Sequence, residues 1–301
     1  MAKRNFGDEF GFQTRAVHTG NDVDSETGAI KRPITMANSY ELPYDPSDLN
    51  WSSAGKNLYT RNGGSNQQYL QEKLASLEGG EDCVVLASGV AALSGLFFAL
   101  LKSGDHVVFS SVTYIAVYRL LNELLKDKFG VETTIVDTTD IEKVKAAIRP
   151  NTKLIHIETP GNPTLSISDI EKIAELAHAS GALLSVDNTF ASPFNQRPIE
   201  LGADFTVESL TKYINGHGDA MGGAIIGKKE YLDIIRAQSQ INLGATISPF
   251  NAWLIMRGSV TLPLRMKQHN ENALKVARYL KTVKGVSFVA YPGLTMLQLS
   301  R

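Results

Sequence analysis

Seven short apolar runs, separated by segments with helical character, constrain the fold of this chain more than any other feature. The runs lie at 83–87, 106–110, 132–136, 153–157, 183–187, 204–208 and 223–227. Helical segments are expected near 67–78, 90–102, 114–128, 140–148, 169–179 and 229–239. Strands that are apolar on both faces and alternate with helices indicate a mostly parallel sheet with helices on both faces. The sequence therefore predicts an α/β fold built on a seven-stranded sheet.

Two segments of different character flank the alternating region. Residues 1–62 show no strong helical or strand period and predict an extended N-terminal arm, and an unstructured stretch of this length usually has a function. Beyond residue 245 we expect a helix from Pro249 to Met256, an amphipathic helix near 264–282 and a strand at 286–290. The predicted organisation is an arm at 1–62, a central domain at 63–257 and the beginning of a second α/β domain at 258–301.

The charge and hydropathy of the chain argue against several classes of partner. The chain has 30 basic and 31 acidic residues, a formal net charge of -1 and no long run of like charge, so we expect neither nucleic acid nor membrane as a partner. No apolar stretch is long enough to cross a bilayer, and the N-terminus lacks the apolar segment of a signal peptide. The single Cys83 excludes an internal disulfide and favours a reducing compartment. We expect a cytoplasmic protein, and no residue pattern predicts a metal site.

In sheets of this type ligands bind at the carboxyl ends of the strands, so the residues that follow each strand are functional candidates. Ser88, Gly89 and Val90 follow the first strand and open a helix, whose free N–H groups can bind an anion. A serine N-cap beside a closely packed glycine explains the same residues. Tyr114 follows the second strand, where it can stack on a flat heteroaromatic ring or act as an ordinary core or rim tyrosine.

Three further strand ends carry an amide, an acid and a lysine. Asn162 lies in a proline-rich turn that either aims its amide into the same cleft or is simply a turn. Asp187 ends a buried strand, where it can hold a proton on a pyridine nitrogen or form a structural ion pair. Lys212, between Ser209 and Thr211, can form a Schiff base if burial removes its charge, or it can be an ordinary exposed lysine.

The strand ends together supply an anion site, a ring-stacking group, an amide, an acid and a lysine. These are the groups that a pyridoxal 5'-phosphate (PLP) site requires. Neither a Walker A loop nor a dinucleotide-binding glycine motif occurs in a suitable strand–turn–helix setting. The combination therefore favours PLP over other phosphorylated ligands.

The motifs at these positions resemble the Cys/Met-metabolism family of PLP-dependent enzymes, which includes cystathionine γ-synthase, cystathionine γ-lyase, methionine γ-lyase and the O-acylhomoserine sulfhydrylases. The resemblance extends from about Phe12 to Leu294. It rests on Tyr-Thr-Arg at 59–61, Ser-Gly-Val-Ala-Ala at 88–92, Glu-Thr-Pro-Gly-Asn-Pro-Thr at 158–164, Asp-Asn-Thr at 187–189 and Ser-Leu-Thr-Lys-Tyr at 209–213. It implies the fold type I of PLP-dependent transferases.

The resemblance also implies a role for each candidate residue. Lys212 would hold PLP as a Schiff base and then move protons, Asp187 would pair with the pyridinium nitrogen, and Tyr114 would stack on the ring and act as an acid/base catalyst. Asn162 would contact the ring's 3-oxygen. The phosphate and its surroundings would be bound by Ser88, Gly89, Val90, Thr189, Ser209 and Thr211. Tyr59 and Arg61 would reach the phosphate of a neighbouring subunit, which implies a homo-oligomer, a dimer of dimers.

The activity implied is γ-elimination or γ-replacement on sulfur-containing or O-acylated homoserine amino acids. Two departures from the family pattern keep an alternative open. Ile115 follows the stacking tyrosine where the family commonly has small glycines, and residues 295–301 do not resemble the family's C-terminal domain, which carries an arginine for the substrate carboxylate. The alternative is a truncated or frameshifted, catalytically impaired paralogue that binds PLP or oligomerises without turnover, in which Arg301 does not replace the absent arginine.

Overall fold

A single mixed sheet organises the chain. The computed structural model describes residues 7, 9–42, 44–45, 47 and 58–294. The strand order is β1-β7-β6-β5-β4-β2-β3, and every pairing is parallel except the two made by β7, which runs antiparallel to β1 and β6. The strands are β1 Asp82–Leu86, β2 His106–Ser110, β3 Glu132–Val136, β4 Thr152–Glu158, β5 Leu183–Asp187, β6 Phe205–Glu208 and β7 Gly223–Gly227. The predicted seven-stranded, mostly parallel α/β sheet is confirmed.

Helices connect most of the strands. They are α1 Phe12–His18, α2 Ser65–Glu78, α3 Gly89–Leu100, α4 Ile115–Tyr118, α5 Lys126–Phe129, α6 Ile141–Ala147, α7 Ile170–Ala179, α8 Ser192–Asn195, α9 Lys229–Ile235, α10 Pro249–Ser259 and α11 Leu262–Leu280. Helix α4 continues through a π-helical segment, Arg119–Leu125, into α5, and α9 continues into a second π-helical segment, Arg236–Asn242. These continuous runs correspond to the helices predicted near 114–128 and 229–239.

Both faces of the sheet are buried, which explains why its strands are apolar without alternation. In β1, Val84 and Leu86 belong to one apolar cluster, with α3 and α9, whereas Cys83 and Val85 belong to another, with α2 and α10. In a third cluster, α6 and α7 pack against β4 and β5. These helices lie on the face of the sheet that α2 covers at β1 and β7. Alternate residues of each strand therefore face opposite layers, and this alternation decides which side chains reach the site.

Local sequence signals fix the helix ends on either side of β1. The Ser88 hydroxyl accepts a hydrogen bond of 3.0 Å from the backbone N–H of Ala91 and so caps α3 directly after β1. Gly79 ends α2 in a left-handed conformation, with φ of 76°, which glycine adopts without a Cβ penalty. Helix α3 consequently points its N-terminal N–H groups toward the space beyond the strand ends.

Two expectations about the flanking segments are wrong. The arm is not extended throughout, because α1 forms at its beginning and packs on α2, where the buried Lys73 Nζ donates to the Ala16 carbonyl at 2.6 Å. Residues 286–290 do not form a strand. Phe288 is 80% exposed, and in the part of the chain that the structure describes no neighbouring strand pairs with this segment, so its backbone has no ladder to join.

The predicted boundary at 257/258 stays a prediction. Helix α10 runs across it, and Leu262 and Met266 of α11 pack in the same apolar cluster as α2 and α10. Within the described residues, no helix combines the length and the apolar character that a membrane span requires. Residues 295–301 lie outside the described residues.

Replacing Phe97 by Ala tests the layer between α3 and the sheet. Phe97 is fully buried and its ring meets His156 edge-on at 5.2 Å between centroids. We expect a loss of about 3–5 kcal/mol in the free energy of unfolding, the usual result of leaving a cavity in a core. The matched control is Phe98→Ala, because Phe98 is only partly buried, and a loss of about 1–2 kcal/mol is expected. Equal losses in urea unfolding would contradict the packing described for α3.

Candidate active site

A cavity of about 330 Å³ lies beyond the carboxyl ends of the strands, and most of the predicted site residues line it. Its lining consists of Ser88, Gly89, Val90, Leu93, Tyr114, Glu158, Asn162, Asp187, Thr189, Phe190, Val207, Ser209, Thr211, Lys212 and Met221. Of the predicted candidates, Tyr59 and Arg61 are not in this lining. The ends of the strands thus bring together residues such as Ser88 and Lys212, which are more than a hundred positions apart in the sequence.

One end of the cavity is shaped for an anion. Helix α3 begins at Gly89, so the backbone N–H groups of its first turn have no partner within the helix and carry the positive end of its dipole. A Cβ on Gly89 would lie 2.8 Å from Ser209 Cβ and 2.9 Å from Ser209 Oγ, so only glycine permits this close approach. The hydroxyl of Thr211 also lines the cavity, although it exchanges hydrogen bonds of 3.2 and 3.3 Å with the backbone of Gly222.

The other end of the cavity contains a buried acid. Asp187 is 8% exposed, and its Oδ1 accepts a hydrogen bond of 3.1 Å from the backbone N–H of Thr189. Burial raises the pKa of this carboxyl above its ordinary value. No basic side chain of the described residues forms an ion pair with Asp187. A ligand that presents a positively charged N–H to Asp187 would compensate for the cost of burying this carboxylate.

Glu158, which the sequence prediction left out, is a second buried acid of the cavity. Parallel pairing aligns it with Asp187 on the neighbouring strand. Burial, followed by the charge of Asp187, raises the pKa of Glu158 to about 7. Its two oxygens accept backbone N–H bonds from Tyr114 at 2.5 Å and from Asn162 at 2.9 Å. Glu158 therefore fixes the two loops that bring the tyrosine and the amide to the cavity.

The aromatic and amide candidates lie at the cavity's rim. Tyr114 is 45% exposed and directly precedes α4, so its ring is not a core ring. Asn162 is half-buried in the turn after β4. The exposure of Tyr114 excludes a core tyrosine, whereas a rim tyrosine and a plain turn at Asn162 are compatible with these positions.

Lys212 lies in the turn that follows β6 and is exposed on one side of the cavity. The side chain is exposed because the turn carries it out of the sheet layer. Its backbone is held from both sides, since the N–H of Lys212 donates to Ser209 O at 3.1 Å and the N–H of Gly216 donates to Lys212 O at 2.8 Å.

Arg265 is a second residue whose contribution sequence reasoning missed. From α11 its guanidinium donates to the carbonyls of Tyr213 at 2.7 Å, Ile214 at 3.2 Å and Gly258 at 3.1 Å. A Cβ on Gly216 would lie 2.1 Å from the Arg265 guanidinium, and Gly216 has a φ of 72°. The segment after Lys212 is thus tied to α11, whose residues lie more than forty positions further along the chain.

Tyr59 and Arg61 pack on each other outside the cavity. The Arg61 guanidinium lies 5.2 Å from the centre of the Tyr59 ring, and the ring is 38% exposed. The Arg61 carbonyl accepts hydrogen bonds from Gln240 at 3.2 Å and Thr246 at 2.9 Å, which fixes the backbone of the arm at this point. Their predicted role at a neighbouring subunit stays a prediction.

The residues present fit PLP. The glycine-lined helix terminus with its hydroxyls suits a phosphate, the buried Asp187 suits a protonated pyridine nitrogen, and Lys212 provides an amine on the same cavity. Gly89 follows β1 and Asp187 ends β5, with β7 and β6 between these strands, so the anion site and the acid lie apart, as the phosphate and the ring nitrogen of PLP do.

Comparisons with known proteins agree with this geometry. The family described as Cys/Met metabolism PLP-dependent enzyme matches residues 13–298. A canavanine gamma-lyase of Rhizobium leguminosarum bv. trifolii (strain WSM2304) is 56% identical over 97% of this chain and 73% of its own length. An L-methionine gamma-lyase of Porphyromonas gingivalis (strain ATCC BAA-308 / W83) is 41% identical over 94% of this chain and 72% of its own length.

A solved structure gives the same result. The crystal structure of cystathionine gamma-lyase from Lactobacillus plantarum complexed with L-serine superposes with a TM-score of 0.88 at 38% identity, over 94% of this chain and 72% of that chain. The family match and these relatives support an enzyme over the alternative of an impaired paralogue. The chain belongs to the Cys/Met-metabolism family of PLP-dependent enzymes.

Proposed function

We propose that this protein catalyses γ-elimination or γ-replacement on amino acids that carry a leaving group at Cγ, with sulfur-containing or O-acylated homoserine amino acids as substrates. The observation that carries the proposal is the shared cavity of Gly89, Asp187 and Lys212, with Tyr114 at its rim. The relatives support the reaction class, because a canavanine gamma-lyase and an L-methionine gamma-lyase both release a group from Cγ.

Bound PLP supplies an electron sink for the electrons released at Cα of the amino acid. The chain supplies the remaining functions. Asp187 would hold a proton at the pyridine nitrogen, and burial would strengthen that electrostatic interaction. The Gly89 end of the cavity would bind the phosphate and so set the position of the ring. Lys212 would provide the amine that attaches the cofactor and would also move protons at Cα and Cβ of the substrate.

Tyr114 is the candidate for proton transfer at the leaving group. Its hydroxyl is on the same cavity as Lys212, and its backbone is fixed by Glu158. A protonated tyrosine can donate to a departing sulfur or oxygen, which carries negative charge as the bond to Cγ breaks. Water or a thiol then completes the reaction, giving elimination to a 2-oxo acid and ammonia or replacement at Cγ.

We further propose a homo-oligomer, a dimer of dimers, in the cytoplasm. Tyr59 and Arg61 lie outside this chain's own cavity while their backbone is fixed, which suits side chains that serve a neighbouring copy. The single, buried Cys83 suits a reducing compartment.

Cofactor attachment is tested by adding PLP to the purified protein, reducing with borohydride and mapping the modified peptide by mass spectrometry. We expect the modification on Lys212 and its complete loss in Lys212→Ala, because no other lysine lines the cavity in the described chain. The matched control is Lys145→Ala, an exposed lysine of α6, which should label as the parent does. Labelling spread over surface lysines in the parent protein would contradict the assignment.

The substrate class is tested by incubating the protein with methionine, cystathionine, O-succinylhomoserine or canavanine. The 2-oxo acid and ammonia that are released are then measured. We expect turnover of at least one member, and a fall of at least about 100-fold in kcat for Lys212→Ala, the loss of a general acid/base. A protein that binds PLP at Lys212 but releases product from none of these compounds would reject the proposed substrates and favour the impaired paralogue.

A further inference from the structure

A second cavity, at the surface where the N-terminal arm meets α10, is lined by basic side chains. Its volume is about 420 Å³. The end of α1, the loop around Lys31, the turn after Lys212 and the connection from α10 to α11 all contribute to its lining. The ionisable side chains of the lining are His18, Lys31, His217 and Arg257. Among the described residues no carboxylate lines this cavity, so its charge favours an anion.

Lys31 is half-buried, and neutral groups hold its ammonium in place. Its Nζ donates to Asn21 Oδ1 at 3.1 Å, and Asn21 Nδ2 donates in turn to the Val17 carbonyl at 2.6 Å. The ammonium also lies 5.5 Å from the centre of the Trp253 ring. An ammonium has more donors than the bond to Asn21 uses. These contacts therefore fix the position of the charge without neutralising it.

Positive charge is concentrated around Lys31. Burial, followed by the charge of Arg257, lowers the pKa of Lys31 below its ordinary value. Burial, followed by the charge of Lys31, lowers the pKa of the buried Lys73 to about 7. In the part of the chain that the structure describes, neither Lys31 nor Arg257 forms an ion pair with an acid. A bound anion would offset this repulsion between like charges.

Acids that are near these segments in the sequence have other partners. Asp22 pairs with Arg32 at 3.2 Å, Asp24 accepts from the Thr27 hydroxyl at 2.7 Å, and Asp219 accepts from Asn215 Nδ2 at 2.9 Å. Each of these carboxylates is thus engaged within its own loop or turn. None of them lines the cavity.

The basic side chains of the cavity stand on elements that are packed together. His217 Nδ1 donates to the Asn215 carbonyl at 2.6 Å. A Cβ on Gly258, which directly follows Arg257, would lie 2.2 Å from the same carbonyl oxygen. The turn that carries His217 and the helix that carries Arg257 are therefore in close contact, and their charges are held at one edge of the cavity.

We propose that this cavity binds the phosphate group of a small molecule through Lys31 and Arg257. A phosphate monoester carries about −1.5 to −2 charge at neutral pH, which suits two cations better than the single charge of a carboxylate does. An arginine can donate paired hydrogen bonds to a phosphate, and a lysine contributes a point charge. Val17 and Ile30 provide apolar surface for the remainder of the molecule.

The inference is independent of the proposed function. Neither Lys31 nor Arg257 lines the cavity that contains Asp187 and Lys212. The two cavities are lined by different residues, so occupation of one by a phosphate leaves the other open.

The first test is a calorimetric titration with inorganic phosphate at constant ionic strength. The protein is loaded with PLP and reduced with borohydride beforehand, so that the cofactor's own phosphate occupies the Gly89 end of the other cavity. We expect one further phosphate to bind with a dissociation constant on the order of 1 mM, as about two hydrogen bonds to charged groups would give. Arg257→Ala and Lys31→Met should each raise this constant by about tenfold or more.

Matched controls separate the site from general surface charge. Arg278→Ala removes an exposed arginine of α11 and should leave the constant within about twofold. Lys31→Met keeps much of the apolar length of the side chain, so its effect reports the charge. Acetate should bind at least about tenfold more weakly than phosphate because it carries a single charge. Circular dichroism checks that each variant folds.

The second test places the phosphate beside Lys31 by the fluorescence of Trp253. The chain has two tryptophans, so Trp253 alone emits in a Trp51→Phe background. Because Lys31 Nζ lies 5.5 Å from the Trp253 ring, bound phosphate should change the emission with the midpoint found by calorimetry. The change should persist in Arg278→Ala and disappear in Lys31→Met.

Three results would overturn the inference: the PLP-loaded protein binds no further phosphate, Arg257→Ala and Lys31→Met bind it as tightly as the parent, or acetate binds as tightly as phosphate. If Arg257→Ala does not fold, Lys31→Met decides. A protein that takes up no PLP would reject the proposed function. The titration is then made without cofactor, and the loss of phosphate binding in Lys31→Met still decides this inference.

Discussion

Parallel pairing of β4, β5 and β6 is the constraint on which the site depends. It brings the ends of three strands to one edge and aligns Glu158 with Asp187 in register. Since alternate residues of a strand face opposite layers, the same pairing points Asp187 and Val207 to the cavity and Glu208 away from it. A one-residue slip of β6 would exchange Val207 and Glu208 and place a third carboxyl in the cavity.

Buried carboxyl groups lie on both faces of the sheet at this edge. On the cavity side, Asp187 has no cationic partner among the described side chains, and the pyridinium of PLP would provide one. Glu158 is stabilised there by the hydrogen bonds that it accepts from two backbone N–H groups. On the opposite side, Glu78 and Glu208 are also buried, and burial raises the pKa of both carboxyls.

Much of the fold and of the cavity could be predicted because the sequence signals that determine them are local. Apolar runs locate the strands, and strand ends in a parallel sheet converge, so Ser88, Asp187 and Lys212 could be placed together without coordinates. What could not be predicted depends on partners distant in sequence. The role of Glu158 follows from loops on two strands, and that of Arg265 from the contact of α11 with the lysine turn. The segment 286–290 has a strand-like sequence, but a strand needs a neighbour to pair with. The exposure of Lys212 could not be predicted either, because a turn and not the strand sets it.

The most direct test of the central claim, that the strand-end cavity binds PLP with its phosphate at α3 and its ring nitrogen at Asp187, is a crystal structure of the protein grown with PLP. The account predicts the phosphate within hydrogen-bond distance of the backbone N–H groups of Gly89 and Val90, the pyridine nitrogen within about 3 Å of an Asp187 oxygen, and continuous density from the cofactor to Lys212 Nζ. A phosphate bound elsewhere, or a ring whose nitrogen faces away from Asp187, would contradict it.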